Sequence, residues 1–329
     1  MIKIKNTHGF SLVELLIAMS VGLIIISGAF AMHSSTRKAQ SLNEMQMDMV
    51  ADARFAIEMI SYDLRHAGMY GGTNKESLIS CTSSEPIACT ASSAGESLPT
   101  AAAGDCAVGW YYDLRTPVFA TDGSAINPYS GTCIPASEGH VGGTDILEVH
   151  YADSNEPAAL LANQVYVRSN AINGRLFVGT TQPVIDAYDA NALTGNHQLH
   201  ANVYYISDHT DAAGDGIPSL RRVALINGPA MQNQVLVSGV ANMQVQFGED
   251  VDGDENIDRY VDPDSVGNWS NVYAAKIWLL MRSDDQVPGV DTTKYFSIAG
   301  EAPANFGGVD DYRYFLVTSV VNLRNMKQI

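Results

Sequence analysis

The first 66 residues carry two successive hydrophobic patterns that together predict one long helix. Residues 10–32 form an apolar run of 23 residues in which Glu14 is the single charged residue. A helix of this length spans roughly 35 Å, which suffices to cross a membrane. Beyond it, apolar residues recur three and four positions apart among charged ones, as on an amphipathic helix. These positions are Leu42, Met45, Met49, Ala53, Ala56, Ile57, Ile60 and Leu64. No glycine or proline occurs between Gly28 and Gly68, so the sequence predicts one helix that ends near His66.

The pattern after residue 143 is different and predicts β-strands. Short runs rich in β-branched and aromatic residues alternate with turn signals such as Asn173-Gly174. The predicted strands are 145–151, 164–169, 175–180, 202–207, 219–226, 233–247, 272–283 and 312–324. One long N-terminal helix laid against an antiparallel sheet is an α+β architecture. The sequence therefore predicts a β-rich head over residues 144–329.

The segment 69–143 is rich in Ser, Ala, Gly and Thr and is predicted to be a loop-rich insertion with few apolar anchors. It contains all four cysteines: Cys81, Cys89, Cys106 and Cys133. Such a segment gains most from cross-links, and an oxidising compartment permits them. Four cysteines allow three pairings, of which we favour the neighbour pairing, Cys81–Cys89 with Cys106–Cys133. Reduced cysteines buried as small apolar residues are the alternative.

The strongly negative charge of the chain argues against nucleic acid as a partner. Lys and Arg number 19 and Asp and Glu number 36, so the net charge is −17. A surface of this sign repels phosphate backbones, and we expect no direct binding of nucleic acid. The chain is 46% hydrophobic and 17% charged, which excludes both a disordered polyanion and a membrane protein with many spans.

Glu14 is the candidate functional residue of the apolar run. A carboxylate inside a membrane helix costs on the order of 2.5–3.5 kcal/mol and commonly marks a function. The alternative is a carboxylate at headgroup depth near the start of the helix. An ordinary secretory signal, with Lys3 and Lys5 as its basic region and Ala29-Phe30-Ala31 as a cleavage site, and an uncleaved anchor are two further interpretations of the segment.

Residues Gly9-Phe10-Ser11-Leu12-Val13-Glu14-Leu15 closely resemble the processing site of type IV prepilins. The resemblance implies a leader, 1–9, that a prepilin peptidase removes after Gly9, and a mature chain that begins with N-methylated Phe10. It also implies a transmembrane and filament-core helix over 10–33, continued by an amphipathic half over 34–68. In that family Glu14 would pair with the amino group of Phe10, of a neighbouring subunit or its own, and set subunit register.

The C-terminal half resembles the PilW family of minor pilins, on the stretches SGVANMQVQFGEDVDGDENIDRY, AAKIWLLMRS and DDYRYFLVTSVVNLRN. The resemblance implies the type IV pilin fold and a structural subunit that primes pilus assembly in a tip complex. Its partners would be other minor pilins, a tip adhesin, the major pilin, the prepilin peptidase and the inner membrane. The protein would cross the bacterial inner membrane once, with its head in the periplasm, and would reach the pilus tip. A J-type pseudopilin of type II secretion is the nearest alternative.

An enzyme is the alternative of another class, in the form of a membrane-anchored periplasmic hydrolase. The eight histidines form no H-E-x-x-H pattern, and neither a nucleophile elbow nor a P-loop is present. His197 and His200 lie three residues apart in polar surroundings, which indicates a solvated loop more than a zinc pair. We therefore predict no catalytic residues.

An acidic stretch between two predicted strands is the candidate metal site. Its oxygen-bearing residues are Asp250, Asp252, Asp254, Asn256 and Asp258. Ligands on alternate residues match the start of a Ca²⁺ loop of the EF-hand kind, so calcium is the one candidate cofactor. The match is incomplete because glycine stands at the fourth place and Val261 at the twelfth. The alternative is a solvated hairpin turn, in which Asp and Asn serve turn geometry.

Overall fold

The structure is a computed structural model that describes residues 11–80, 106, 110–123, 127–185, 193–287, 295–300, 304–305 and 311–327. The chain divides into two compact units, Met1–Asp48 and Met49–Ile329. One helix, α1 (Leu12–His66), begins in the first unit and ends in the second. Within its described residues, the first unit consists of this helix alone and the residue before it. The predicted long N-terminal helix is confirmed.

The second half of α1 buries the predicted apolar stripe. Its side chains at spacings of three and four are between 0 and 8% exposed: Met49, Ala53, Ala56, Ile60 and Leu64. The helix ends where Gly68 adopts a φ of +76°, a conformation that glycine tolerates best. The N–H of Gly68 donates to the carbonyl of His150 at 3.1 Å, which ties the end of the helix to the head.

The larger sheet of the described residues has eight strands. They are β1 (Ile79–Ser80), β2 (Val118–Thr121), β3 (Ile146–Ala152), β4 (Val165–Ser169), β5 (Gly174–Val178), β6 (Gly195–Ser207), β7 (Ser219–Ile226) and β8 (Ala230–Ser238). The order is β1-β5-β4-β6-β3-β2, and β7 joins β6 to β8. All pairs are antiparallel except β1 with β5. The long strand β6 organises the sheet, since it pairs with β4, β3 and β7 along its length.

A second, four-stranded sheet is antiparallel and has the order β10-β9-β11-β14. Its strands are β9 (Val240–Glu249), β10 (Arg259–Val261), β11 (Val272–Arg282) and β14 (Tyr314–Asn322). A short pair, β12 (Tyr295–Phe296) with β13 (Ala304–Asn305), completes the described strands. One face of the four-stranded sheet is part of the core, with fully buried side chains at Met243, Val245, Phe247, Ile277 and Leu279.

The predicted strands lie where the sequence placed them, with two differences. The run 233–247 divides into β8 and β9 at Gly239, whose φ of +71° breaks the extended chain. The strand predicted at 202–207 begins seven residues earlier, at Gly195. The strands β1, β2, β10, β12 and β13 were not predicted; each has at most four residues, too few to show a period.

The segment 69–143 contributes more to the core than the sequence indicated. Its described part supplies β2 and several large side chains that are at most 2% exposed: Trp110, Tyr112, Leu114, Tyr129 and Ile134. These residues pack with apolar side chains of β3, β4 and β6 in one cluster. The expectation of few apolar anchors is wrong because the aromatic residues, although widely spaced in sequence, converge on the sheet.

Candidate functional site

The start of α1 is closed by a reciprocal pair of hydrogen bonds between Ser11 and the first turn. The Ser11 hydroxyl accepts from the N–H of Val13 at 3.3 Å, and the Glu14 carboxylate accepts from the N–H of Ser11 at 3.0 Å. This is the capping-box arrangement, in which the acidic side chain at the third helical position satisfies a backbone donor. The negative charge of Glu14 also lies at the positive end of the helix dipole. Glu14 therefore has a local partner in this structure.

The large side chains in the apolar half of α1 are exposed in the structure. Large side chains such as Leu23, Ile24 and Phe30 are 66–74% exposed. Among the described helices, α1 alone is long and apolar enough to cross a membrane. An apolar surface of this extent needs lipid or other protein around it. The Ser20 and Ser27 hydroxyls donate to carbonyls of the preceding turn, so they expose no unsatisfied donor.

The predicted processing residues, Gly9 and Phe10, lie outside the described residues. Cleavage after Gly9 and methylation of Phe10 therefore stay predictions. The same holds for the expected pairing of the Glu14 carboxylate with the amino group of Phe10.

One disulfide is described in the head, between Cys106 and Cys133, whose Cα atoms are 5.6 Å apart. Both cysteines pack against the core cluster around Tyr129. The bridge therefore fastens Cys106 to the segment that leads into β3. This is one of the two pairs expected from the sequence. The other two cysteines, Cys81 and Cys89, lie outside the described residues.

The acidic stretch forms the nine-residue connection between β9 and β10, which pair as a hairpin. Asp250 is buried, and its carboxylate accepts from the N–H groups of Gly253 at 2.7 Å and Glu255 at 2.8 Å. At the other end, the Asp258 carboxylate accepts from the N–H of Val251 at 2.7 Å. These bonds between carboxylates and backbone N–H groups fold the loop on itself.

Three carboxylates of this loop meet: single oxygens of Asp250, Asp252 and Asp254 lie within 4.8 Å of one another. Asn256 is held beside them, because its N–H donates to the Asp254 carboxylate at 2.8 Å. The oxygens suit a hard cation, yet those of Asp250 already accept backbone hydrogens. The calcium interpretation and the turn interpretation both stay predictions.

Asp63 is a buried carboxylate that sequence reasoning missed. It lies on α1, is 3% exposed, and faces the larger sheet. Its oxygens accept from the Tyr151 hydroxyl at 2.8 Å, the Asn202 amide at 2.7 Å and the Tyr204 hydroxyl at 2.5 Å. Burial, and then the Asp63 charge, raise the pKa of both phenols, so they remain protonated donors. No local sequence pattern marks Asp63, because its three partners lie 88, 139 and 141 residues away in the chain.

Beside Asp63 lies a cavity of about 510 Å³ between the second half of α1 and strands β6 to β8. Two aromatic residues of the helix, Phe55 and Tyr62, line it and are 52% and 49% exposed. Glu58 lies between them in sequence, and Arg222 of β7 lines the opposite wall. We call this cavity the helix-side groove.

Two segments of the chain match models of known protein families. Residues 4–30 match the family model of the prokaryotic N-terminal methylation motif. Residues 203–325 match that of PilW, a type IV pilus-assembly protein. The chain therefore carries a prepilin-type methylation motif and a region similar to PilW. A solved type IV-like pilin from Thermus thermophilus also matches, with 15% identity over 50% of this chain and 86% of that chain and a TM-score of 0.24. No curated protein matches the chain.

The two matched segments divide the site features between them. The methylation motif contains Gly9, Phe10 and the Ser11–Glu14 cap. The PilW region contains the four-stranded sheet and the acidic loop. Its first residues lie in β6 and include Tyr204, whose hydroxyl donates to Asp63. The Cys106–Cys133 disulfide lies in neither segment.

His197 and His200 lie just before the PilW region and do not form a metal pair. Both belong to β6, so the expectation of a solvated loop is wrong. Being three apart in a strand, they point to opposite faces. The His197 ring bonds to the carbonyl of Asp153 at 2.8 Å, while His200 bonds to the Asp153 carboxylate at 3.0 Å and stacks on Tyr151.

Proposed function

We propose that this type IV pilin-like protein is a minor pilin, a structural subunit that primes pilus assembly and joins a tip complex. The observation that carries the proposal is the combination in one chain of a methylation motif, an exposed apolar helix capped at Glu14, and a PilW region. A helix of that kind serves as a membrane anchor before assembly and as a filament core afterwards.

The same proposal gives the processing and the location. A prepilin peptidase would cut after Gly9 and leave N-methylated Phe10 at the start of the helix. The mature protein would cross the bacterial inner membrane once, with its head in the periplasm, and would pass from there to the pilus tip. Its partners would be other minor pilins, the major pilin and a tip adhesin. We assign the protein a structural role and no catalytic one.

Shearing filaments from cells that produce the full chain tests this proposal. We expect the protein to co-purify with the sheared filaments and its N-terminus to read as N-methylated Phe10. A Gly9→Arg variant should remain an uncut precursor in the membrane fraction. A mature start at Met32 would indicate an ordinary signal peptide. Wild-type protein that stays with membranes after shearing would contradict the pilus role, and lost secretion with intact pili in a deletion strain would favour the pseudopilin.

A further inference from the structure

The helix-side groove has the volume of a ligand pocket and is lined by two exposed aromatic side chains. Its volume of about 510 Å³ is within the range of ligand pockets, roughly 300–1,000 Å³. Phe55 and Tyr62 stand seven residues apart, which places them two turns apart on one face of α1. Each leaves about half of its surface in solvent, at 52% and 49%. Aromatic side chains exposed on a groove commonly mark an interface.

The electrostatics of the groove favour a cationic occupant. Among the described residues that line it, two are carboxylates, the buried Asp63 and the exposed Glu58, and one is a guanidinium, that of Arg222. This guanidinium is already engaged, since it donates to Gln234 at 2.9 Å and also interacts with the Tyr204 hydroxyl. The three donors to Asp63 are two phenols and an amide, so its hydrogen bonds add no compensating charge. His200 also lines the groove, and its ring is already paired with the Asp153 carboxylate at 3.0 Å.

We propose that the helix-side groove receives a basic side chain, arginine or lysine, that another pilus subunit presents to this one. The aliphatic stem would lie against Phe55, and the cationic head would contact the face of Tyr62 near Glu58 and Asp63. Cations are attracted to aromatic faces, and a planar guanidinium also stacks on them. The net charge of −17 repels a second copy of this chain, so the occupant belongs to a different protein. This inference rests on the proposed function, because it supplies a contact through which the subunit joins its neighbours.

The test uses the full chain purified in detergent micelles and two matched peptides. The first is acetyl-leucyl-arginine amide, and the second is acetyl-leucyl-citrulline amide, which has the same shape with a neutral urea in place of the guanidinium. Ligand-observed NMR titration gives the affinity of each. We expect the arginine peptide to bind about tenfold more tightly than the citrulline peptide, and the difference to shrink at high salt.

Two variants locate the binding. Phe55→Ala and Glu58→Gln change exposed side chains of the groove, and each should weaken the arginine peptide by about three- to tenfold. Tyr260→Ala and Glu44→Gln are the matched controls, since they remove an exposed aromatic ring and an exposed carboxylate elsewhere. Both controls should bind as the wild type does. Thermal unfolding of all four variants shows that they remain folded.

Three results would overturn the inference: no binding of either peptide, equal binding of both, or unchanged affinity in the two groove variants. Free arginine amide is the third probe, and affinity equal to that of the peptide would indicate a site for small cations instead of a docking site. If the protein fails to co-purify with filaments but still binds the arginine peptide selectively, the pilus role is contradicted and the groove proposal stands. If it co-purifies with filaments but does not bind the arginine peptide selectively, the groove proposal alone is contradicted.

Discussion

The Glu14 carboxylate accepts a hydrogen bond from the backbone N–H of Ser11 at 3.0 Å, and this bond closes the first turn of α1. The contact gives an acidic residue in an apolar helix a local role. In a bilayer, an unsatisfied N–H costs several kcal/mol, so a side chain that satisfies one has value apart from any intersubunit pairing. Capping within the subunit is therefore a role of Glu14 that is separate from the predicted pairing with the amino group of Phe10.

Glu14 variants separate these two roles. Glu14→Gln keeps an oxygen acceptor for the Ser11 N–H but removes the charge, whereas Glu14→Ala removes both. We expect both variants to be cut after Gly9, because the side chain lies beyond the scissile bond, and both to fail to enter filaments. Immunoblots of sheared filaments and membranes measure this. Incorporation of Glu14→Gln at the wild-type level would show that capping, not charge, is the function.

Ser11→Ala is the matched variant for the cap. It removes the hydroxyl that accepts from Val13 and leaves the Glu14 charge in place. Losing an N-cap side chain typically costs about 1 kcal/mol of helix stability. We therefore expect Ser11→Ala to be cut and incorporated, with at most a modest loss. A defect as severe as that of Glu14→Ala would contradict the pairing role.

The Cys106–Cys133 bridge predicts a stability loss that does not depend on which cysteine is changed. The cysteines are 27 residues apart in sequence, and closing a loop of that length stabilises the folded state by about 3–4 kcal/mol in the chain-entropy model. Cys106→Ser, Cys133→Ser and the double variant should lose similar free energies of unfolding. A much larger loss in the double variant would show that the two sulfurs act separately. Peptide mapping without reduction should also find the predicted Cys81–Cys89 pair.

The sequence predicted the elements that bury one regular face and missed those that depend on distant partners. The stripe from Met49 to Leu64 was readable because helical periodicity is local. The first seven residues of β6, Gly195 to Ala201, could not be predicted as a strand, because they include Gly, Asn and two His, which are weak strand formers. They form a strand because β4 and β3 pair with them on the two edges.

Only some of the functional residues could be predicted from the sequence, for a similar reason. Ser11 and Glu14 stand at the capping-box spacing, which the sequence shows directly, whereas the resemblance to prepilins implies only the pairing of Glu14 with Phe10. Asp63 could not be found in this way. Its partners, Tyr151 and Asn202, are 88 and 139 residues away, and no local pattern connects them.

The hydrogen bonds of the acidic loop predict that Asp250 stabilises the head without metal. Asp250→Ala leaves two N–H groups, those of Gly253 and Glu255, without their acceptor. We expect a loss of about 1–3 kcal/mol in the free energy of unfolding, equal in EDTA and in millimolar Ca²⁺. Asp252→Ala is the control, because its carboxylate accepts only from Asp254 across 3.2 Å among the described residues. Calcium that stabilises the wild type but neither variant would instead support the predicted site of Asp250, Asp252, Asp254, Asn256 and Asp258.

Asp145, the residue before β3, carries a buried carboxylate. Its Oδ2 accepts from the N–H of Val245 at 2.6 Å, while its Oδ1 has no hydrogen-bond partner among the described residues. Burial, together with the nearby charges of Asp122, Asp262 and Asp264, raises the pKa of Asp145 to about 8, although the bond from Val245 opposes this. The folded state therefore binds the proton more tightly than the unfolded state, where the pKa is ordinary.

This difference in proton binding determines the direction in which the free energy of unfolding changes with pH. Because the folded state holds more protons between pH about 4 and about 8, the free energy of unfolding falls as pH rises through that window, by up to about 1.4 kcal/mol per unit. Asp145→Asn keeps an oxygen for the Val245 N–H and cannot ionise. We expect the variant to match the wild type near the acidic end of the window and to gain stability over it steadily toward the alkaline end. Denaturant unfolding of both proteins across this range measures the difference. Parallel pH profiles would mean that Asp145 is already ionised in the folded protein.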